Sequence, residues 1–298
     1  MEYSLLGKSD LNISRLAFGC MSLDPKDPEA ENILRKAMDT GMNYFDTADL
    51  YNKGQNEMML GRAFRDKRKE VILATKVGNQ WRNDGSGWDW NPSKKYILSS
   101  IDESLERLQT DYIDVYQLHG GTMEDPIDDV IEAFELLKSA GKIRYYGISS
   151  IRPNVIREYI KRSSIVSVML QYSLLDRRPE EEILSLLHEN QIGVLARGSV
   201  ARGLLISKPP EQYLNYSKEQ VAAVAKEIRD LSSEARSPET IALRYVLDNP
   251  AITSVVLGIR TMAHLTLALD SMNSNSLTET EKKRLSEIIP IHFYDNHR

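Results

Sequence analysis

Eight short apolar runs, rich in β-branched residues, recur along the chain at 14–18, 43–46, 71–76, 112–119, 143–149, 166–171, 192–196 and 252–257. Segments with apolar residues at three- and four-residue spacing separate them. Examples are Ile33, Leu34, Ala37 and Met38; Ile97, Ile101, Leu105 and Leu108; and Ile127, Val130, Ile131, Phe134 and Leu137. Gly41 and Gly141 follow such segments, and Pro92, Pro126, Pro153 and Pro238 stand near their starts, the usual placing of helix stops and starts. Eight strands alternating with helices predict an α/β chain folded as a (β/α)8 TIM barrel. A doubly wound sheet shares the alternation, but it usually carries a Gly-x-Gly-x-x-Gly turn after an early strand, and the chain has none.

Three additions to the barrel are expected. Residues 2–11 read as an N-terminal β-hairpin turning at Gly7-Lys8-Ser9. Two extra helices, 218–235 and 238–247, lie between the seventh and eighth strands, and a charged helix over 278–289 follows the last repeat. No composition shift marks a linker, so residues 1–298 read as one domain.

The remaining bulk properties serve to exclude. Net charge is −5 with Lys and Arg scattered, which offers no footprint for nucleic acid. No apolar run approaches the ~20 residues of a membrane helix, and residues 1–7 do not read as a signal peptide. The one cysteine, Cys20, allows no internal disulfide and fits a reducing compartment. The expectation is a cytoplasmic protein with neither membrane nor nucleic-acid partner, acting on a small molecule. The sequence offers no interface, and a monomer is favoured.

In such a barrel the C-terminal strand ends build the active site. The second strand ends at Asp46, with Tyr51 in the following loop. The third ends at Lys76, the fourth at His119, the fifth at Ser149-Ser150 and the sixth at Gln171. The seventh runs out into Arg197-Gly198-Ser199 and the eighth into Gly258-Ile259-Arg260. Strand alternation places Tyr44 on the face of Asp46, Ala74 and Ile72 on that of Lys76, and Val115 and Gln117 on that of His119. A Gln117 facing the barrel interior needs a hydrogen-bond partner that the sequence does not name.

Taken singly, Asp46 reads as a cap, Tyr51 as packing and His119 as a structural histidine. Together, on three consecutive strands and their loops, they suggest chemistry. A phenol titrates near ~10 in isolation, and a buried cation beside it favours the phenolate. Lys76 could be that cation, with Asp46 holding the ammonium and His119 polarising a carbonyl oxygen. The set suits proton delivery to a carbonyl that is being reduced. No side chain donates hydride, so a reduced nicotinamide or flavin is implied. Competing chemistries are less well supplied. The five histidines form no His-x-His pair at a strand end, so no metal is expected. A retaining glycosidase would want two strand-end carboxylates ~5 Å apart, where this chain has His119 and Arg197. A Schiff base on Lys76 leaves the tyrosine and the acid less well explained.

Several of these stretches carry a likeness. Phe45-Asp46-Thr47-Ala48-Asp49-Leu50-Tyr51, followed by Asn56-Glu57 and Leu60-Gly61, resembles the aldo-keto reductase family. So do Ala74-Thr75-Lys76-Val77, the segment Asp111 through His119, Tyr146-Gly147-Ile148-Ser149 and Gln171-Tyr172-Ser173-Leu174-Leu175. The resemblance covers essentially the whole chain. It is nearest to the bacterial general reductases, a branch also similar to the β subunits of potassium channels. It implies an NAD(P)H-dependent reductase of aldehydes and ketones whose catalytic tetrad falls on Asp46, Tyr51, Lys76 and His119. It implies nicotinamide contacts from Ser149 and Gln171, while Ser150 stands where the family commonly has Asn.

Departures from the family pattern shape the remaining expectations. Where a Tyr-Ser-Pro-Leu run is usual after the seventh strand, the chain has Arg197-Gly198-Ser199-Val200, with Arg202 beyond. These residues are expected at the cofactor. Arg197 is planar enough to stack on a ring, and its charge disfavours an oxidised nicotinamide beside it. After Gly258, a helix start offers N–H groups to a phosphate. Arg260 suits a 2′-phosphate, which favours NADPH over NADH. His264 stands where Gln or Arg is frequent, and Ala268 where Asn or Glu often lies near the adenine. On the substrate side, Trp81, Trp88 and Trp90 share one loop after the third strand. With Cys20 and Met21 they are expected to line a pocket for an apolar or aromatic carbonyl. The segment 291–294 is expected either to reach that pocket or to cap the barrel bottom. The alternative function is a redox-sensing subunit that binds nicotinamide tightly and turns over slowly.

Overall fold

The structure, a computed structural model, describes residues 1–298. In chain order its elements are β1 (Tyr3–Leu5), β2 (Asn12–Ser14), β3 (Leu16–Gly19), α1 (Ala30–Asp39), β4 (Tyr44–Asp46), α2 (Gln55–Phe64), β5 (Ile72–Val77), β6 (Asn79–Trp81), β7 (Trp88–Trp90), α3 (Lys94–Leu108), β8 (Ile113–Leu118) and α4 (Ile127–Ser139). There follow β9 (Ile143–Ser149), α5 (Pro153–Arg162), β10 (Ser167–Gln171), α6 (Ile183–Glu189), β11 (Gly193–Arg197), α7 (Lys218–Leu231), α8 (Pro238–Leu247), β12 (Ile252–Gly258), α9 (Met262–Met272) and α10 (Glu279–Glu287). Strands β3, β4, β5, β8, β9, β10, β11 and β12 close into a parallel barrel in that order, and β1–β2 and β6–β7 are separate antiparallel hairpins.

All eight expected barrel strands are present, and three departures from the expected elements have local causes. The first strand begins at Leu16 instead of residue 14, because Ser14 pairs with Tyr3 in the N-terminal hairpin. The tryptophan segment, expected as a loop, is the β6–β7 hairpin with Trp81 opposite Trp88. Helix α7 stops at Leu231, short of the expected 235. Ser232 there adopts an extended conformation and its hydroxyl donates back to the Ile228 carbonyl, a competition with the helix ladder typical of serine. The extra helices start where their caps direct. Ser217 and Thr278 each form a capping box, and Pro238 occupies the first turn of α8.

Two apolar cores hold the barrel. The larger lies between the strands and the helices and includes Phe18, Phe45, Phe64, Tyr116, Phe134 and Tyr146. The smaller fills the barrel interior, with Ala17, Tyr44, Ala74, Val115, Met169, Leu195 and Val256 packed on Leu6, Leu11 and Ile13 from the hairpin end. The hairpin therefore plugs the N-terminal mouth. Each of its three buried aliphatic side chains is worth roughly 1.5–3 kcal/mol in apolar burial. Gly7 permits the approach: it sits at φ +57°, and a Cβ there would stand 2.3 Å from the Val166 carbonyl oxygen. Tyr44, Ala74 and Val115 face inward as alternation requires. Two residues further along each strand, Asp46, Lys76 and Gln117 form the next layer towards the C-terminal mouth.

The chain after α10 crosses that C-terminal face and does not cap the bottom, which the hairpin occupies. Tyr216 donates to the Pro290 carbonyl at 2.9 Å, and His292 packs on the Tyr216 ring. The Arg178 guanidinium lies 4.7 Å from the Tyr294 ring centre, and the His297 carbonyl accepts from the Asn154 N–H at 2.9 Å. These partners all follow β9, β10 or β11. A cleft of about 180 Å³ remains beneath the tail, bordered by Leu175, Tyr216, His292 and Phe293. No helix is long and apolar enough to cross a membrane.

Candidate active site

The three strands β4, β5 and β8 are neighbours, and their register sets Asp46 beside Ala74 and Lys76 beside Gln117. From there the Lys76 ammonium donates to Asp46 Oδ2 at 2.6 Å, to the Thr47 carbonyl at 2.7 Å and to the Tyr51 hydroxyl at 3.4 Å. The other Asp46 oxygen accepts from Gln117 Nε2 at 3.2 Å. That contact identifies the partner of the inward-facing glutamine. The Lys76 and Asp46 side chains are only 1 % and 5 % exposed. Burial works against the Lys76 ammonium, but Asp46 and Tyr51 outweigh it and hold the group above the ordinary lysine range. Burial also pushes the Asp46 carboxyl up, against the pull of Lys76 and Gln117. We take the pair as ionised at neutral pH, because breaking either charge would leave the other buried and unpaired.

Tyr51 opens a short turn, Tyr51–Gly54, of unusual backbone. Asn52 (φ 51°, ψ 35°), Lys53 (φ 55°, ψ 45°) and Gly54 (φ 81°) are left-handed in succession. Such a conformation costs roughly 1–2 kcal/mol per residue with a Cβ, so the surroundings must hold it. Trp81 contributes: its indole N–H donates to the Leu50 carbonyl at 3.2 Å, and the Lys53 ammonium lies 4.9 Å from its ring centre. His119, one residue past β8, meets the Tyr51 ring edge-on at 5.7 Å. Burial, then the Lys76 and Arg197 charges, lower its imidazole pKa to about 3, so the ring is neutral at pH 7. Its Nδ1 is buried with no protein partner.

The second group of expected residues spans the adjoining strand ends. Ser149 ends β9, Gln171 ends β10 and Arg197 ends β11, with Gln171 and Arg197 directly paired in register. Gly198 has φ +74°, and a Cβ there would meet only the Gln171 side chain, at 3.8 and 3.9 Å. Ser199 is 1 % exposed and its hydroxyl has no partner. An orphaned buried hydroxyl beside an open glycine fits a polar ligand lying against this rim. Ser150 instead accepts from the Arg152 N–H at 3.2 Å. Arg202 is itself left-handed, with its guanidinium 5.9 Å from the Tyr213 ring. Thr261 caps α9 by accepting from the His264 N–H, and Arg260 and His264 are both exposed at this helix start. Gly258 lies against Ser22, whose Oγ would stand 2.7 Å from a Cβ placed there. Ala268 faces the core and has no exposed surface.

The expected substrate residues separate. Cys20 is a correction: it has no exposed surface and belongs to the larger core, so it cannot line an open pocket. Burial first, then Asp46, push its thiol well above the usual range. Trp90 packs over Gly78 and Gly120 and donates to Asp125 Oδ1 at 2.9 Å, so it anchors the hairpin. Trp88 and Met21 are 48 % and 62 % exposed, and Trp81 lies on the Tyr51 loop.

Sequence reading passed over one neighbouring group. Glu57 is fully buried and accepts from Thr75 Oγ1 at 2.5 Å and from Arg107 Nε at 2.7 Å. Asp49 is buried beside it. Burial, then the Glu57 charge, push its carboxyl well up, and its Oδ1 has no partner. Both acids lie in the motif that drew attention, but the arginine that binds Glu57 is on a helix fifty residues away.

Residues 15–290 match the model of the Aldo/keto reductase family. The chain is 50 % identical over 307 residues to the uncharacterized oxidoreductase YqkF of Bacillus subtilis (strain 168), covering 100 % of both. It superposes on the holo form of aldo-keto reductase AKR11C1 from Bacillus halodurans with a TM-score of 0.94 and 47 % identity, covering 100 % of this chain and 99 % of that one. It is also 34 % identical over 213 residues to the aldo-keto reductase yakc [NADP(+)] of Schizosaccharomyces pombe, covering 67 % of this chain and 63 % of that protein.

Proposed function

The chain belongs to the aldo/keto reductase family and is an NAD(P)H-dependent oxidoreductase, and from that premise we propose that it reduces aldehydes and ketones to alcohols with NADPH, Tyr51 supplying the proton. The observation that carries this reading is the Lys76 ammonium held between Asp46 and the Tyr51 hydroxyl. Bound reduced nicotinamide supplies the hydride. Tyr51 donates its proton to the carbonyl oxygen as negative charge grows there, and Lys76 stabilises the phenolate left behind. Asp46, steadied by Gln117, keeps Lys76 in place. His119 is neutral and so can hydrogen-bond the carbonyl oxygen without competing for the proton.

Ser149 and Gln171 would hold the nicotinamide carboxamide, with Arg197 and Gly198 beside the ring. Ser199, Arg202, Gly258, Arg260 and His264 would hold the phosphate and adenosine portions. Arg260 favours the 2′-phosphate, and the S. pombe relative carries NADP(+) in its name. Exposed Trp88 and Met21, with Trp81, suit an apolar or aromatic substrate body. We further take residues 1–298 as one catalytic domain acting in the cytoplasm.

The test is NADPH oxidation with a panel of aldehydes, wild type against Tyr51→Phe. Loss of a general acid costs roughly 10²–10⁴ in rate, so kcat should fall at least a hundredfold with NADPH affinity kept within about twofold. Full turnover of unactivated aldehydes by Tyr51→Phe refutes the proton-donor role. A single oxidation followed by trapped cofactor in the wild type would point to redox sensing instead.

A further inference from the structure

The turn carrying Tyr51 is left-handed at three successive residues, and something beyond its own sequence must hold it. Trp81 braces its start, and the contact at its far end is Arg107 on α3. A Cβ on Gly54 would lie 2.6 Å from Arg107 Cδ and 2.8 Å from its Nε, so the arginine stem lies flat against the bare glycine. The same Nε donates to Glu57 Oε2 at 2.7 Å, and Nη2 donates to Ser104 Oγ at 3.1 Å. The second Glu57 oxygen accepts from Thr75 Oγ1 at 2.5 Å. Thr75 precedes Lys76 on β5, with its side chain on the opposite face of the strand. Gly61 brings α2 close enough for this: a Cβ there would stand 2.5 Å from the Arg107 carbonyl oxygen.

We propose that Arg107 and Glu57 are positioning residues that fix the Tyr51 hydroxyl against Lys76, from outside the barrel. One ionic bond ties three pieces together. Arg107 presses on the end of the Tyr51 turn, Glu57 anchors the helix that the turn leads into, and Thr75 ties that helix to the strand bearing Lys76. Two donors on one buried carboxylate leave Glu57 little freedom to tilt, so α2 and β5 keep one relative setting. Neither residue touches substrate or cofactor, and the inference rests on the proposed role of Tyr51.

The test uses the full chain in four forms: wild type, Gly54→Ala, Arg107→Lys, and the double variant Arg107→Met/Glu57→Gln, which removes both charges of the pair together. Three experiments are run: steady-state kinetics for aldehyde kcat and KM, NADPH binding by fluorescence, and hydrogen exchange of residues 48–57 without cofactor. In Gly54→Ala and in the double variant, kcat should fall tenfold or more while the NADPH Kd stays within twofold. Exchange protection of 48–57 should fall tenfold, with that of β9–β12 unchanged. Arg107→Lys, which keeps a charge for Glu57, should recover part of the loss. Unchanged exchange at 48–57 overturns the proposal, as does a loss of protection spread over the whole barrel. Should the wild type reduce no carbonyl, the proposed function fails, and the exchange data still decide whether this pair holds the turn.

Discussion

Lys76 and Asp46 form an ion pair of 2.6 Å at the top of the barrel interior, one layer above a column of apolar side chains. Removing one partner of such a pair typically costs about 3–5 kcal/mol, because the other charge is left buried. Lys76→Met should therefore unfold at markedly lower denaturant. Lys76→Met/Asp46→Asn should lose less stability than the single change, since the stranded charge is gone. Both should be inactive towards aldehydes. Denaturant titration of the two variants decides it: a double variant no more stable than Lys76→Met would mean the buried charge is not what destabilises.

His119 has a pKa of about 3 in the folded chain, against an ordinary value of 6.5. The native state thus binds fewer protons than the unfolded state between those values, and stability falls as pH drops through that window. At pH 4 the deficit from this group is roughly 3 kcal/mol. His119→Gln should lose less stability than wild type between pH 7 and pH 4, and the wild-type kcat profile should show no imidazole limb between pH 5 and 8. Equal acid sensitivity of the two proteins in urea titrations would count against a neutral buried imidazole.

Arg197 lies near enough to contribute to the lowered His119 pKa, so it also adds positive potential at the rim where Gln171 and Gly198 meet. A positively charged nicotinamide beside it is disfavoured relative to the neutral reduced ring. Arg197→Tyr should tighten oxidised cofactor severalfold relative to reduced. Titrations showing the same change for both forms would remove the electrostatic argument.

Arg260 stands exposed just before α9, whose N-terminal turn is capped by Thr261. A hydrogen bond to a charged group is worth about 1.5–3 kcal/mol, so Arg260→Ala should lower the NADPH/NADH affinity ratio by roughly ten- to a hundredfold. The wild-type preference should also weaken with added salt. An unchanged ratio means another residue reads the phosphate.

Strand ends were legible because a barrel turns one-dimensional order into position: Asp46, Lys76 and His119 lie at or within one residue of the ends of consecutive barrel strands and converge around Tyr51. The inward facing of Tyr44, Ala74 and Val115 followed from alternation alone. What sequence hid was contact between elements far apart in the chain. Gln117 needed a partner, but Asp46 lies seventy-one residues away from it. Arg107 faces Gly54 only because α3 packs on α2. Cys20 lay at a strand end and was expected at an open surface, yet the turn after β3 folds it into the core. The tryptophans share one segment of sequence, but Trp90 lies at the base of the hairpin over Gly78 and Gly120, while Trp88 lies nearer its tip and is exposed.

The N-terminal hairpin has a consequence for traffic. With Leu6, Leu11 and Ile13 corking one mouth, the barrel is a cul-de-sac, and everything that reaches Lys76 must come and go by the same door. The far end is closed twice over, by the packed interior side chains and by the three aliphatic residues of the hairpin beneath them, so reactant and product share the C-terminal mouth.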